Sequence, residues 1–104
     1  MRHQWASVHE LAQIAVLSGL PGETLGKLAD RMERRSLAPG EALELPDSFT
    51  VIIAGLVTLT RVGEPARRLA PGDSIVAKPA TLTALTPATV ASCEHSTYSE
   101  LTQA

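Results

Sequence analysis

Cysteine and aromatic residues are scarce in this sequence. Its single cysteine, Cys93, excludes an intrachain disulfide and fits a reducing cytoplasm. Only Trp5, Phe49 and Tyr98 contribute large aromatic rings, so leucine, valine, isoleucine and alanine must form most of the core. The 104 residues have the length of one domain, and we treat 1–104 as a single domain. The richness in alanine, arginine and leucine is typical of bacterial proteins.

The sequence also lacks the features of several functional classes. Its formal net charge of −2 argues against a general nucleic-acid binder, which usually has a basic surface. We find no secretory signal and no apolar run long enough to span a bilayer, and therefore expect a cytoplasmic protein without membrane contact. Nucleophile-elbow, P-loop and kinase motifs are absent, and we expect no enzymatic activity.

Histidine is too dispersed to suggest a metal site. His3, His9 and His95 are far apart, and the predicted strands carry no clustered histidine and glutamate, so no metal ligand is assigned. Cys93 lies two residues from His95, which raises the alternative of a nucleophile pair. Because only Glu94 is available nearby to orient the imidazole, we interpret Cys93 as a buried structural residue.

The first third of the sequence predicts two helices. Residues 5–17 carry one apolar stripe, formed by Trp5, Val8, Leu11, Ala12 and Ala15. Residues 22–35 carry a second stripe, formed by Leu25, Leu28, Ala29 and Met32. Glu23 falls in the first turn of this second helix and Arg34 and Arg35 in its last, which suits the helix dipole.

From Ser36 onward the pattern changes to short strands separated by glycine and proline. Strands are predicted near 42–45, 49–54, 56–62, 66–70, 74–77, 80–85 and 88–93. Gly55 interrupts the clearest of them and indicates a tight hairpin or a bend. Thr97 and Glu100 have the spacing of a capping box, which predicts a final helix at 98–103.

One turn occurs twice: "LAPGEA" recurs 32 residues later as "LAPGDS". Pro39 and Pro71 fix the backbone for the second position of a tight turn. Gly40 and Gly72 follow at the position where a type II turn requires positive φ. We expect the carboxylate after each glycine to be solvated. Two such corners indicate either two similar reversals between short strands or one recurring unit of a rolled-up sheet.

Four stretches, in order and spacing, resemble the family of cyclic-nucleotide-binding domains. They are "LSGLPGETLGKLA", "LAPGEAL", "VIIAGLVTLTR" and "RLAPGDS". The resemblance covers about residues 11–101 and implies an antiparallel β-roll of the jelly-roll type, mainly β with flanking helices. On this basis we divide the domain into a helical segment at 5–35, a β-roll at 36–93 and a C-terminal helix at 96–103.

The sequence departs from the family where the nucleotide binds. The family text after the second corner resembles "GDxFGExALL…RxATV", in which a short helix cradles the phosphate and Glu and Arg bind the ribose and the phosphate. Here "GDSIVAKPATLTAL" follows, roughly eight residues shorter. Lys78 occupies the position of the arginine but supplies only a point charge. If a pocket persists, its candidate residues are Gly72, Asp73, Lys78 and Thr81.

The resemblance and its departure lead to one hypothesis and two alternatives. The hypothesis is a non-catalytic regulatory or structural interaction module that needs no cofactor and binds no cyclic nucleotide. A protein partner or self-association would then use the first helix, with Trp5, Val8 and Leu11 as interface candidates. The first alternative is a genuine sensor of cyclic AMP or cyclic GMP with a shortened pocket. The second is a transcription-regulator remnant without its helix-turn-helix, which would need a partner to contact DNA.

Overall fold

The computed structural model describes residues 8–76 and 79–102. Its helices are α1 (Val8–Ala12), a 3-10 helix (Ala15–Leu17), α2 (Gly22–Ala29) and α3 (His95–Thr102). Its strands are β1 (Glu33–Leu37), β2 (Ala42–Leu45), β3 (Ser48–Ala54), β4 (Val57–Thr60), β5 (Arg67–Leu69), β6 (Ser74–Val76), β7 (Ala80–Ala84) and β8 (Ala88–Glu94). Within these ranges no helix has the length and hydropathy required to cross a membrane.

The strands form two four-stranded antiparallel sheets. The helix-side sheet has the order β1-β8-β3-β6, and the outer sheet has the order β2-β7-β4-β5. Among the pairs in the described part of the chain, only β4 and β5 are consecutive in sequence; the other pairs join strands far apart along the chain. This is the connectivity of a jelly-roll, so the predicted mainly-β roll with flanking helices is confirmed.

Two cores lie on the two faces of the helix-side sheet, and β3 contributes to both. Phe49 and Val51 pack with the helices, whereas Ile52 faces the space between the sheets. The helix-side core also holds Leu11, Ile14, Leu17, Leu25, Leu28, Ala29, Met32, Ala91 and Cys93. The core between the sheets also holds Leu37, Leu45, Val57, Leu59, Leu69, Ile75, Ala80, Leu82, Ala84, Ala88 and Val90. This two-sided burial explains why β3 is the most continuous apolar strand in the sequence.

Gly55 carries the chain from one sheet to the other. It lies between β3, in the helix-side sheet, and β4, in the outer sheet, and its φ is +82°. A Cβ at this position would collide with the carbonyl oxygen of Pro87 and lie 2.7 Å from the Cα of Ala88. Of the two predicted options, a tight hairpin and a bend, Gly55 therefore forms the bend. Glycine is required there because φ is positive and because a Cβ has no room.

The seven strands predicted from Ser36 onward are all present, with bounds that differ by at most two residues. Position 77, at the end of the predicted 74–77, lies outside the described residues. The helix predicted at 22–35 is wrong beyond Ala29. Residues Glu33–Leu37 instead form β1, which pairs with β8 over its full length. Pairing along a sheet edge outweighs the moderate helix propensity of "MERR", so Arg34 and Arg35 lie on a strand and do not cap a helix.

The helix predicted at 5–17 is broken in its described part. α1 ends at Ala12, and a separate 3-10 helix begins at Ala15. The buried residues are Leu11, Ile14 and Leu17, whereas Ala12 and Ala15 of the predicted stripe are exposed. The break occurs where the amide of Ala15 donates to the carbonyl oxygen of Gly72, 3.3 Å away, so a contact with the second corner replaces continued helix.

The C-terminal helix exists, but the capping box predicted for it is wrong. α3 begins at His95, directly after β8, so Thr97 lies inside the helix and not at its N-cap. Tyr98 of α3 stacks on Phe49 of β3 with ring centroids 3.8 Å apart, which fixes the helix against the sheet. The packing of an aromatic pair, not the local cap signal, determines where this helix lies; residues 103 and 104 lie outside the described ranges.

Three alanine substitutions separate backbone strain from steric conflict. Gly40→Ala meets open space at φ +86°, so we expect a loss of about 1–2 kcal/mol in unfolding free energy from conformation alone. Gly55→Ala adds the collision with Pro87 and should cost on the order of 3 kcal/mol or more. Gly19→Ala, with open space and no positive φ, is the control. Urea unfolding would measure the three, and equal losses at Gly55 and Gly19 would contradict the assigned bend.

Candidate functional site

The two corners have the same internal geometry. In the second, the amide of Asp73 donates to the carbonyl oxygen of Ala70 (3.0 Å), and Gly72 has a φ of +98°, as in a type II turn. The Oδ2 atom of Asp73 accepts in return from the amide of Ala70, 2.8 Å away. Glu41 makes the equivalent pair of bonds with Ala38 in the first corner. The predicted corners are confirmed, and their carboxylates, exposed to solvent as expected, also cap their own turns.

The two corners also attach to the sheets in the same way. Gly40 donates to the carbonyl oxygen of Ala84, whose amide donates back to Glu41. In the second corner, Gly72 donates to the carbonyl oxygen of Ile52 at 3.0 Å, and the amide of Ile52 donates to the carbonyl of Asp73 at 2.9 Å. One corner therefore attaches to β7 of the outer sheet and the other to β3 of the helix-side sheet. The repeated sequence corresponds to a repeated mode of attachment.

The candidate pocket residues do not all lie together. Gly72 and Asp73 form the second corner on the helix-side sheet, whereas Thr81 lies on β7 of the outer sheet. Thr81 is half-buried between the core-facing Ala80 and Leu82 and therefore points away from the core. Lys78 belongs to the connection between β6 and β7, residues 77–79, and lies outside the described residues.

A cavity of about 180 Å³ lies at the end of the roll where β7 begins. Glu44, Thr60, Arg61, Pro79 and Thr81 line it. The side chain of Arg61 is only 16% exposed, and its nearest described acidic partner is Glu64 at 3.9 Å. Arg61 is not among the predicted site residues, although it continues the inward series of Val57 and Leu59 along β4 and could have been found from that alternation.

The chemistry available in this cavity is limited. Arg61 supplies one cation and Glu44 one anion, so the lining has no large net charge.

A second cavity, of about 210 Å³, lies where β2 approaches β1 and β8, and Leu43, Pro46 and Cys93 are among its lining residues. Both volumes are below the roughly 300 Å³ at which small-molecule pockets usually begin. Among the described residues, no group of three or more His, Cys, Asp or Glu side chains is arranged to hold a metal ion.

Cys93 has the environment of a structural residue. Its side chain is 9% exposed and packs in the helix-side core. Burial raises the pKa of the thiol to about 11, although a hydrogen bond involving the Tyr98 backbone lowers it in part. At neutral pH the reactive thiolate is therefore almost absent. His95 begins α3 and lies near the Tyr98 ring, 6.5 Å between centroids, so the alternative of a nucleophile pair has no support.

One of the three interface candidates is wrong. Leu11 is fully buried, with 0% exposure, because α1 packs on α2 and on the helix-side core. It therefore offers no surface to a partner. Trp5 and the side chain of Val8 lie outside the described residues. Leu11 of the predicted apolar stripe is buried together with Ile14 and Leu17, which that stripe left out, whereas its Ala12 and Ala15 are exposed.

Comparison with solved structures identifies the fold. The regulatory domain of Toxoplasma gondii protein kinase A with cyclic AMP matches 90% of this chain with a TM-score of 0.72 and 21% identity. A cyclic-nucleotide-binding-like protein from Brucella abortus matches 90% with a TM-score of 0.64 and 20% identity. The regulatory subunit of a cyclic-AMP-independent protein kinase A from Trypanosoma cruzi, bound to guanosine, matches 90% with a TM-score of 0.70 and 19% identity.

The chain therefore has the fold of the cyclic-nucleotide-binding domains. It spans 43% and 39% of the two kinase regulatory chains and 95% of the Brucella protein. The sequence matches no protein-family model and no curated protein. At this level of identity the likeness concerns the fold, and the resemblance inferred from the four sequence motifs is confirmed at that level.

The carboxylate of Asp73 should contribute measurably to stability. Asp73→Ala removes the acceptor for the Ala70 amide, and we expect a loss of about 1 kcal/mol in unfolding free energy. Asp73→Asn is the matched control, since its amide oxygen can still accept that bond and should preserve most of the stability. Urea unfolding measures both. Equal stability of Asp73→Ala and the unsubstituted chain would show that the carboxylate is not a turn cap.

The thiol of Cys93 should be inert in the folded protein. Because burial raises its pKa from 9.0 to about 11, the native state holds its proton more tightly than the unfolded state. The resulting stabilisation is complete below pH 9 and is lost as the pH rises towards 11. A chromogenic disulfide reagent at pH 8 should react only on unfolding, with guanidinium-treated protein as the control. Immediate stoichiometric reaction of the native protein would contradict this assignment.

Proposed function

We propose that this chain is a non-catalytic regulatory or structural interaction module built on the cyclic-nucleotide-binding fold, and that it binds no cyclic nucleotide. The observation that carries the proposal is the length of the connection after β6. β6 ends at Val76 and β7 begins at Ala80, which leaves the three residues 77–79 between them. One turn of α-helix takes 3.6 residues, so this connection is too short for a phosphate-binding helix.

The backbone of the second corner supports the same conclusion. Without a phosphate-binding helix, the amides of the corner itself, those of Gly72 and Asp73, would have to replace its donors. Gly72 already donates to Ile52, and Asp73 already donates to Ala70. The Asp73 carboxylate accepts from Ala70 and would repel an anion. A phosphate bound at this corner would have to break existing hydrogen bonds in order to make its own.

We infer that such a module acts through a protein surface. We assign it no cofactor, no catalytic residue and no nucleic-acid partner, and we place it in the cytoplasm, where its free Cys93 would stay reduced. Most of the neighbours named above are regulatory domains, which favours regulation over catalysis. The partner is a protein or a second copy of the chain.

A shortened nucleotide pocket is the second candidate. The cavity that brings Thr81 next to Arg61 favours it, because a guanidinium could replace the missing phosphate donors. The Trypanosoma cruzi neighbour is bound to guanosine, which shows that the fold can hold a nucleoside without a cyclic phosphate in that protein. Glu44 in the same lining disfavours an anion, and this is why we rank the candidate second.

Calorimetry with cyclic AMP, cyclic GMP and guanosine distinguishes the two candidates. We expect no saturable heat with any of them up to about 1 mM ligand, the range of barely useful affinity. Micromolar binding of a cyclic nucleotide that is lost in Lys78→Ala or Arg61→Ala, but kept in the control Lys27→Ala, would overturn the proposal. Lys27 is an exposed lysine of α2 with only an exposed ion pair to Glu23.

A further inference from the structure

The outward face of the outer sheet presents four threonines in register, here called the threonine face. Thr58 of β4 lies opposite Thr83 of β7, and Thr60 lies opposite Thr81. Burial alternates along both strands, and their intervening residues face the core between the sheets. The four threonines therefore point away from that core. In the described part of the chain, the helices pack against the other sheet and leave this face uncovered.

The threonine face is bordered by opposite charges on opposite edges. Glu44 of β2 lies opposite Thr81, and Arg68 of β5 lies opposite Thr58. β2 and β5 are the two edge strands of the outer sheet, and both charged side chains are exposed. Neither has an ion-pair partner among residues 8–76 and 79–102. An uncharged centre with a charged border is the usual anatomy of a protein interface.

We propose that the threonine face is the contact surface between two copies of this chain. The copies pack face to face about a twofold axis that runs parallel to the strands. That rotation places the β2 edge of each copy over the β5 edge of the other. Glu44 and Arg68 lie in neighbouring rows of the sheet, so Glu44 of one copy approaches Arg68 of the second copy with an offset of about 7 Å along the strands, twice per dimer. An in-plane axis perpendicular to the strands would instead oppose Glu44 to Glu44 and Arg68 to Arg68. The charges therefore select the first arrangement.

The size of the face determines how strong this contact is. Four strands about 4.8 Å apart, with two to three rows of outward residues about 7 Å apart, give roughly 300–400 Å² of sheet per copy. A standard interface buries about 800 Å² per partner. The dimer is accordingly weak and reversible, with sheets about 10 Å apart in the aligned packing of β-sandwiches. Leu85, which follows β7 and is 45% exposed, extends the uncharged area at one end.

This inference names a partner and a surface for the interaction module, and so it rests on the proposed function in that respect. Association and nucleotide binding are nevertheless separate measurements. A dimer that also binds cyclic nucleotide overturns the proposed function and leaves the threonine face intact. A monomer that binds no nucleotide overturns the threonine face and leaves the proposed function intact.

Sedimentation velocity between about 10 µM and about 1 mM protein tests the contact. We expect the weight-average sedimentation coefficient to rise with concentration, and Glu44→Arg or Arg68→Glu to weaken association on the order of tenfold, because each converts two attractions per dimer into repulsions. The double variant Glu44→Arg with Arg68→Glu restores both pairs and should recover the affinity. Arg31→Glu, the same charge change at an exposed site outside the face, is the control.

Two results would overturn the proposal. One is an unsubstituted chain that remains monomeric at about 1 mM, which would assign the face to another partner or to none. The other is a double variant as weak as the single variants. If a variant loses stability, the unsubstituted chain can be diluted under NMR observation. The amide shifts of Thr58, Thr60, Thr81 and Thr83 should then change with concentration, and shifts confined to the helices would contradict the assigned surface.

Discussion

The structure depends on the burial of β3 on both of its faces. β3 is the strand that joins β8 to β6 in the helix-side sheet, and its residues from Ser48 to Ile52 are all buried. Phe49 anchors α3 through Tyr98, Ile52 holds the second corner through two backbone bonds, and Gly55 at its end redirects the chain to the outer sheet. Helices, corner and second sheet are thus all positioned by one strand. A strand with this role can carry no charge in either alternating set, and "FTVII" has none. The buried polar side chains of β3, Ser48 and Thr50, hydrogen-bond to each other at 3.2 Å.

The same constraint bears on the candidate ligand site. In the resembling family, the second corner leads into the nucleotide site, and a corner that serves a ligand needs donors that remain available to it. Here the Gly72 and Asp73 amides are used to fix the corner to β3 and to close its own turn, and Asp73 adds a carboxylate cap. The first corner makes the same bonds to β7. Because both corners have one geometry, these bonds hold each turn to its own sheet in the same way.

Signals that act over a few residues predicted most of this fold. The strand bounds, the positive φ of Gly40 and Gly72, and the order of motifs along the roll follow from alternation and turn chemistry. The failures have one cause in common, which is contact between distant segments. Residues 33–37 form β1 instead of the end of the predicted second helix because they pair with β8. The predicted first helix is interrupted where the Ala15 amide donates to the Gly72 carbonyl oxygen. The inward direction of Arg61 follows from alternation along β4, whereas the register of the threonines required strand pairing, which no local pattern specifies.

Threonine suits a surface that must stay hydrated in the single copy and still pack against a second copy, as proposed for the threonine face. β-branched side chains favour the strand conformation, and cross-strand threonine pairs stabilise a sheet even without a partner. Valine in the same four positions would leave a permanently apolar face, which is prone to irreversible association. The hydroxyls keep the face hydrated when the copies are apart, and the methyl groups provide packing when they meet. Glu44 and Arg68, on the edge strands, would at the same time discourage uncontrolled edge-to-edge pairing, so the residues that direct the dimer also limit what else the sheet can join.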